Sequence, residues 1–270
     1  MAVNVPELQN PEIAAQLEEA LMGFVAEYGE APLARVLEAF RYATGAETPD
    51  YPHPLQRPEE VFFPGLAVSP WHSAQGHASL EHVVKTLEDA FPVMREEYLQ
   101  SQANGAGLDA YGAAGNQKFH TVKNNEDWSG LFLMRRGEWS EKGMKSCPRT
   151  AEVIRSLEPY IMADGEAFFS VLKPGVVLPP HHDATNLKFT IQMGVVIPSD
   201  SAIKVGDETK VWEPGKCILF DDSFLHEAWN HSDTTRVVFI MDVWRPELTP
   251  IEVEVIGALI RAMPRAAVAA

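Results

Sequence analysis

Apolar residues recur at helical spacing from the start of the chain. Ile13, Leu17, Leu21 and Phe24 fall on one face, Asn10 is placed to cap them, Pro11 suits a first turn and Gly29 a stop. The pattern predicts a helix over 11–28. Leu33, Val36, Leu37 and Phe40 predict a second over about 32–43, ended by Gly45. Thr48 to Pro58 carries four prolines and reads as a linker. These two helices are either a docking element, and then a candidate oligomer contact, or packing for the main domain.

A third helix is expected over about 80–99, capped by Ser79, with Leu80, Val83, Val84, Leu87 and Phe91 as its stripe and Pro92 kinking or breaking it. Residues 101–117 hold Gly105, Gly107, Gly112 and Gly115 and read as a mobile loop, either a lid or a tolerated insertion. The period then shifts towards two. Short strands are predicted at Leu131–Met134, Ala167–Leu172, Phe189–Ile197, Ala202–Val205, Lys210–Trp212, Cys217–Phe220, Phe224–Trp229 and Arg236–Trp244. Pro174-Gly175, Pro198-Ser199-Asp200 and Glu213-Pro214-Gly215 punctuate them, and helices are expected at about 148–158 and 250–262. Many short strands at close spacing point to a mainly β fold with flanking helices, a sandwich or jelly roll. The expected organisation is a helical extension and linker (1–58), a β domain (59–262) and a small-residue tail (263–270).

Composition narrows the functional classes. With 270 residues, 46% hydrophobic and 22% charged, the chain can bury a large core. A net charge of -16 argues against a nucleic-acid backbone or an anionic membrane surface as main partner. Cys147 and Cys217 are too few for a disulfide framework and not spaced for zinc. Met1 to Pro6 lacks the pattern of a signal peptide, and no run is apolar enough to span a bilayer, so the expected compartment is the cytoplasm.

The chemistry concentrates between Pro179 and Trp244. In a strand, side chains two apart share a face, so His181 and Asp183 can offer an imidazole and a carboxylate to one metal. His226, on a later strand, can close the third corner. Two histidines and one carboxylate leave open positions and suit a non-haem iron centre. His182 points to the other face of a regular strand and is not counted as a ligand. Arg236 lies inside an apolar strand, where an unpaired guanidinium is costly, so a carboxylate partner is expected for it.

Several segments resemble the aspartyl/asparaginyl β-hydroxylase family. They are Asp221-Asp222-Ser223-Phe224-Leu225-His226-Glu227-Ala228-Trp229, Asp242-Val243-Trp244-Arg245-Pro246, Phe63-Pro64-Gly65-Leu66 with Pro70-Trp71, Trp128-Ser129, Cys147-Pro148, Phe169-Ser170 and Thr185-Asn186. The resemblance covers about residues 60–250. It implies a double-stranded β-helix (cupin-like) and a dioxygenase using Fe(II), O2 and the co-substrate 2-oxoglutarate, with succinate and CO2 as co-products. It places His181 and His226 on the iron, and Arg236 and Ser170 on the 2-oxoglutarate carboxylate. This chain departs from the family's animal member in two places. Asp183 stands where that protein has Gly, and Thr190 and Gln192 stand where it has Arg and His.

Asp183 completes the triad and favours hydroxylation of an unactivated C–H. Thr190 and Gln192 turn the expectation towards a small molecule or amino-acid derivative, with a peptidyl-aspartate or asparagine substrate as the alternative. Two further readings are a non-catalytic cupin-like binding module and a zinc or manganese cupin enzyme without 2-oxoglutarate. Arg236 and Ser170 argue against the latter.

Overall fold

The computed structural model describes residues 5, 8, 10–111, 118, 119 and 121–264. Two helices open it, α1 (Pro11–Tyr28) and α2 (Glu30–Ala43). The Asn10 side chain accepts from the Glu12 N–H at 2.9 Å and caps α1. Gly29, with φ 84°, turns the chain between the two helices in a conformation that a side chain would disfavour. After the two-residue strand β1 (Trp71–His72) comes α3 (Ala78–Ala103), longer than the sequence suggests. Its N-cap position is His77, without a side-chain bond, and Ser79 lies inside the first turn. Pro92 sits within α3 without ending it. The fully buried Leu87 and Met94 anchor the helix on both sides, and their packing outweighs the hydrogen bond that proline removes.

The chain continues through β2 (Asp109–Ala110), β3 (Trp128–Arg135), β4 (Glu138–Trp139), α4 (Glu141–Ser146) and α5 (Pro148–Ser156). The proposed lid, 101–117, divides: 101–103 finish α3, β2 pairs with β3 at Gly130 and Ser129, and 112–117 lie outside the described residues. No pattern announces α4, which is too short for an apolar stripe. The Ser140 hydroxyl accepts from the Gly143 N–H at 3.2 Å to start it. Gly143 also lets it lie against β3, since a Cβ there would stand 1.8 Å from the Phe132 carbonyl oxygen.

Eight strands then wind between two sheets: β5 (Ala167–Leu172), β6 (Val177–His181), β7 (Lys188–Val196), β8 (Ser201–Val205), β9 (Glu208–Lys210), β10 (Cys217–Phe220), β11 (His226–Asn230) and β12 (Arg236–Trp244). The larger sheet runs β1-β10-β7-β12-β5-β3-β2, with β4 paired to β3, and the smaller runs β6-β11-β8-β9. Their pairings are antiparallel. This is the jelly-roll, cupin-like fold, with β5 to β12 as its double-stranded β-helix.

Period-two alternation divides the larger sheet into two faces. Phe169 and Val171 on β5, Ile191 and Met193 on β7, and Val237, Phe239 and Met241 on β12 pack outward in one core with Leu80, Leu87 and Met94 of α3 and Ile154 of α5. The intervening residues Ser170, Lys188, Thr190, Gln192, Arg236 and Asp242 turn inward, towards the smaller sheet. Trp128, Leu172, Leu178, Val205, Trp212 and Phe220 close the space between the sheets.

The last helix, α6 (Pro250–Ala262), starts with a capping box in which Thr249 and Glu252 exchange bonds of 3.2 and 2.8 Å. Glu252 also pairs with Arg35 of α2 at 2.5 Å. Leu21, Leu33 and Val36 share a core with Val255, Ile256, Phe63 and Leu187, so α1 and α2 pack on α6 and on segments that lead into the β-helix. Within the stretch read as a linker, Gln56 is buried and donates to Asp221 at 2.9 Å.

Candidate metal centre and active-site chamber

His181 ends β6 and His226 begins β11, and they are direct cross-strand partners. Asp183 lies beyond the strand rather than on it. Its backbone N–H donates to the Asp222 carbonyl at 3.0 Å, which turns the chain so that the carboxylate faces both histidines. One ligand atom from each of His181, Asp183 and His226 lies within 4.8 Å of the others. His182 is not in this group.

Both rings are held in one tautomer. His181 Nδ1 lies 2.7 Å from the Pro179 carbonyl and His226 Nδ1 2.9 Å from that of Phe224. A carbonyl only accepts, so each Nδ1 carries the proton and each Nε2 keeps its lone pair for the shared space. Burial, then the neighbouring His226, pushes His181 down to about 3. Burial also lowers His226, outweighing the attraction of Asp183. Two neutral buried imidazoles and a half-buried carboxylate converging on one space are a donor set suited to a non-haem ferrous ion.

Arg236, on β12, is 2% exposed. Its Nη1 donates to the Ser170 hydroxyl at 3.4 Å, its guanidinium lies 5.0 Å from the Trp212 ring centre, and its Nε has no partner. Among the described residues no carboxylate pairs with it, so the partner expected for it is not supplied by them. Burial lowers its pKa to about 9. The Ser170 hydroxyl also accepts from Trp128 Nε1 at 3.1 Å. Two N–H groups thus occupy the oxygen's acceptor sites and leave its own proton to donate. Gln192 accepts from Trp212 Nε1 at 2.9 Å, which fixes the indole under the guanidinium.

His181, Asp183, His226, Arg236 and Ser170 all line one chamber of about 70 Å³ between the sheets. The sequence reading missed its third wall. Lys188 Nζ donates to Asp242 and to Thr190 Oγ1, both at 2.9 Å, and makes a short contact with Asp222. Thr190 donates to Asp222 at 2.6 Å. Glu166 stands beside them, its N–H bonded to Asp242 at 3.1 Å. Burial, then Asp242, raises the Glu166 carboxyl to about 7. Extending the alternation from Arg236 through Val238 and Ile240 would have placed Asp242 on the chamber face, and that from Thr190 would have placed Lys188. Running the alternation of β5 back from Ser170 through Phe168 would likewise have placed Glu166, while Asp222 lies in the turn after β10 and carries no such signal.

The family motifs tie the chamber to its surroundings. Asn186 exchanges two hydrogen bonds with the Phe63 backbone, at 2.7 and 2.9 Å. Asp221 and Arg245 form a fully buried pair at 3.1 Å. Glu97 of α3 accepts from the Arg149 and Thr150 N–H groups at 2.9 and 2.7 Å, capping α5 just after Cys147-Pro148.

Fold and site together define a jelly-roll protein with a two-histidine, one-carboxylate group able to hold a metal and a buried cation beside it. Residues 88–246, more than half of the chain, match the family described as Aspartyl/Asparaginyl beta-hydroxylase. The chain belongs to that family. The aspartyl/asparaginyl beta-hydroxylase of Homo sapiens is 34% identical over 188 residues, covering 69% of this chain and 24% of that protein. Aspartate beta-hydroxylase domain-containing protein 2 of Homo sapiens is 32% identical over 205 residues, covering 73% and 53%. The ornithine lipid ester-linked acyl 2-hydroxylase of Rhizobium tropici is 34% identical over 133 residues, covering 48% and 46%. The chain therefore spans about a quarter to a half of the length of these relatives. Among solved structures, a cupin 2 conserved barrel domain protein from Salinispora arenicola is 12% identical, covers 48% of this chain and 84% of its own, and has a TM-score of 0.30. At that score the fold rests on the two sheets themselves. Among the described residues, no helix is long and apolar enough to cross a membrane.

Proposed function

We propose that this protein is an Fe(II)- and 2-oxoglutarate-dependent dioxygenase that hydroxylates an unactivated C–H bond of a small molecule or amino-acid derivative. The observation that carries the reading is Arg236, a buried guanidinium with no carboxylate partner among the described residues, opening on the chamber that holds the metal group. His181, Asp183 and His226 would hold the iron. Arg236 and the Ser170 hydroxyl would hold the distal carboxylate of 2-oxoglutarate, the guanidinium by charge and the hydroxyl by its free proton. When bound, these groups and dioxygen supply an oxidative decarboxylation to succinate and CO2 coupled to insertion of one oxygen atom into the substrate.

The chain's own contribution is orientation and exclusion. The Pro179 and Phe224 carbonyls fix both imidazoles with Nε2 forward. Trp128 and Gln192–Trp212 hold the carboxylate anchor in place. Phe119 packs edge-on to His181, and its ring closes one side of the metal group against water.

The relatives are named for aspartyl or asparaginyl groups and for an acyl chain. Family membership therefore leaves the substrate to the walls of the chamber. A zinc or manganese cupin without 2-oxoglutarate has no use for an unpaired arginine in this place. The test is succinate formation by purified protein with Fe(II), ascorbate and 2-oxoglutarate, with and without candidate substrates. Succinate that is independent of Fe(II), or that persists at wild-type rate in His226→Ala, overturns the reading.

A further inference from the structure

With its carboxyl groups ionised, the third wall of the chamber carries more negative charge than its own cations match. Glu166, Asp222 and Asp242 face the space beside the metal group. Lys188 bridges Asp222 and Asp242 and so answers one of the three carboxylates. Arg135 reaches Glu166 from the rim, at 3.8 Å. One negative charge is left over. The imbalance is not removed by loading the proposed cofactors. A divalent metal and the doubly charged 2-oxoglutarate cancel each other, Asp183 and Arg236 form a second balanced set, and Lys118, 3.5 Å from Asp183, is matched by Glu59 at 3.0 Å.

Two observations make this a binding wall rather than a surplus of acids. The first is Asp222, only 2% exposed, whose Oδ1 has no hydrogen-bond partner although it lines the chamber. A buried carboxylate oxygen without a donor costs free energy that a cationic ligand can recover. The second is connectivity. Tyr111, Glu166, Asp183, Lys188 and Asp242 line both the inner chamber and an outer cavity of about 340 Å³. The acidic wall therefore lies on the path from that outer cavity to the metal group. The Glu166 main chain is held there by its N–H bond to Asp242 and by β5, and its carboxylate by a side-chain hydrogen bond with Tyr111, so the group is placed rather than loose.

We infer that the substrate enters with a positively charged nitrogen, an ammonium or guanidinium group, which docks on this wall against Glu166 and sets which carbon faces the metal group. The inference rests on the proposed chamber being the active site. It separates the substrate from an acidic one. A carboxylate side chain brought to the same wall would meet three carboxyl groups with one lysine already engaged, a like-charge juxtaposition that disfavours binding. Glu166 is thereby a specificity-determining residue, and Lys188 positions the two aspartates behind it.

The test is titration calorimetry on the full chain, with and without Mn(II) and 2-oxoglutarate. The probes are L-lysine, putrescine and butylamine, each beside its fully N-acetylated form, and L-aspartate. At least one amine is expected to bind ten times or more tightly than its acetylated form and than L-aspartate, and Glu166→Gln is expected to lose that tenfold preference. Comparing charged and acetylated probes on the unaltered protein keeps the result independent of how the variant folds. Equal binding of each pair, tighter binding of L-aspartate, an unchanged preference in Glu166→Gln, or no binding by any amine overturns the inference. Failure of the 2-oxoglutarate reading would show separately, as absent 2-oxoglutarate binding in the same titrations.

Discussion

His181 and His226 face each other across β6 and β11 with ring centres 4.1 Å apart, each tied through Nδ1 to the carbonyl two residues before it. The strand pairing thus brings the imidazoles together before any metal arrives. Replacing either with alanine is expected to lower Fe(II) affinity by more than the roughly 10- to 100-fold that loss of an outer hydrogen bond costs. Iron content after equilibration at defined free Fe(II) checks this. Wild-type content in His181→Ala would show that the group does not hold the metal.

Arg236 supports a prediction of opposite sign for stability and binding. Without ligand, Arg236→Met is expected to leave stability unchanged or raise it, because an unpaired buried cation is removed from an apolar strand. With 2-oxoglutarate at 100 times its dissociation constant, the wild-type protein is expected to gain about 2.7 kcal/mol. The variant should gain almost nothing. Thermal melts with and without 2-oxoglutarate measure both effects, and an equal shift in the two proteins would remove Arg236 from the site.

The Asp221–Arg245 pair is a structural counterpart. Both side chains are wholly buried, and Asp221 also accepts from Gln56 and Ser223. It fixes the turn that leads into His226. Arg245→Met strands the carboxylate, and such losses cost about 3–5 kcal/mol. Urea denaturation is the measurement; a loss below about 1 kcal/mol would mean that Gln56 and Ser223 suffice.

Glu166 predicts a pH dependence. Its folded pKa of about 7 lies above the ordinary 4.5, chiefly through burial. An acid raised in this way binds its proton more tightly in the native state, so its contribution to stability is intact below pH 4.5 and falls as pH rises towards 7. A shift of this size corresponds to on the order of 3 kcal/mol. Asp222, raised in the same direction by burial, remains in both proteins. Denaturation at pH 5 and pH 8 should therefore show a smaller loss in Glu166→Gln than in wild type. Identical losses would place the titrating group elsewhere.

Much of the fold was legible along the chain. The strands Ala167–Leu172, Cys217–Phe220 and Arg236–Trp244 are observed as the alternation and turn residues predict. The metal-group residues were legible as residue types at suggestive spacing. The misses share a cause. Pro92 inside α3, α4 under Gly143 and Asp183 beyond β6 are each decided by a contact from a distant segment. The wall of Lys188, Asp222, Asp242 and Glu166 joins residues from four places in the sequence.

The sequence by itself determined most of the longer strands, which residue types converge between Pro179 and Trp244, and that an arginine stands in an apolar strand. Those properties follow from local dihedral periodicity and from the cost of burying a charge. The tertiary structure decided that Arg236 faces a chamber without a carboxylate partner from the described residues, and that another wall of it gathers three carboxyl groups around one lysine. Charge balance in a buried space is a sum over every element that encloses it. It has no local signature, and it exists only once the sheets have closed and excluded water.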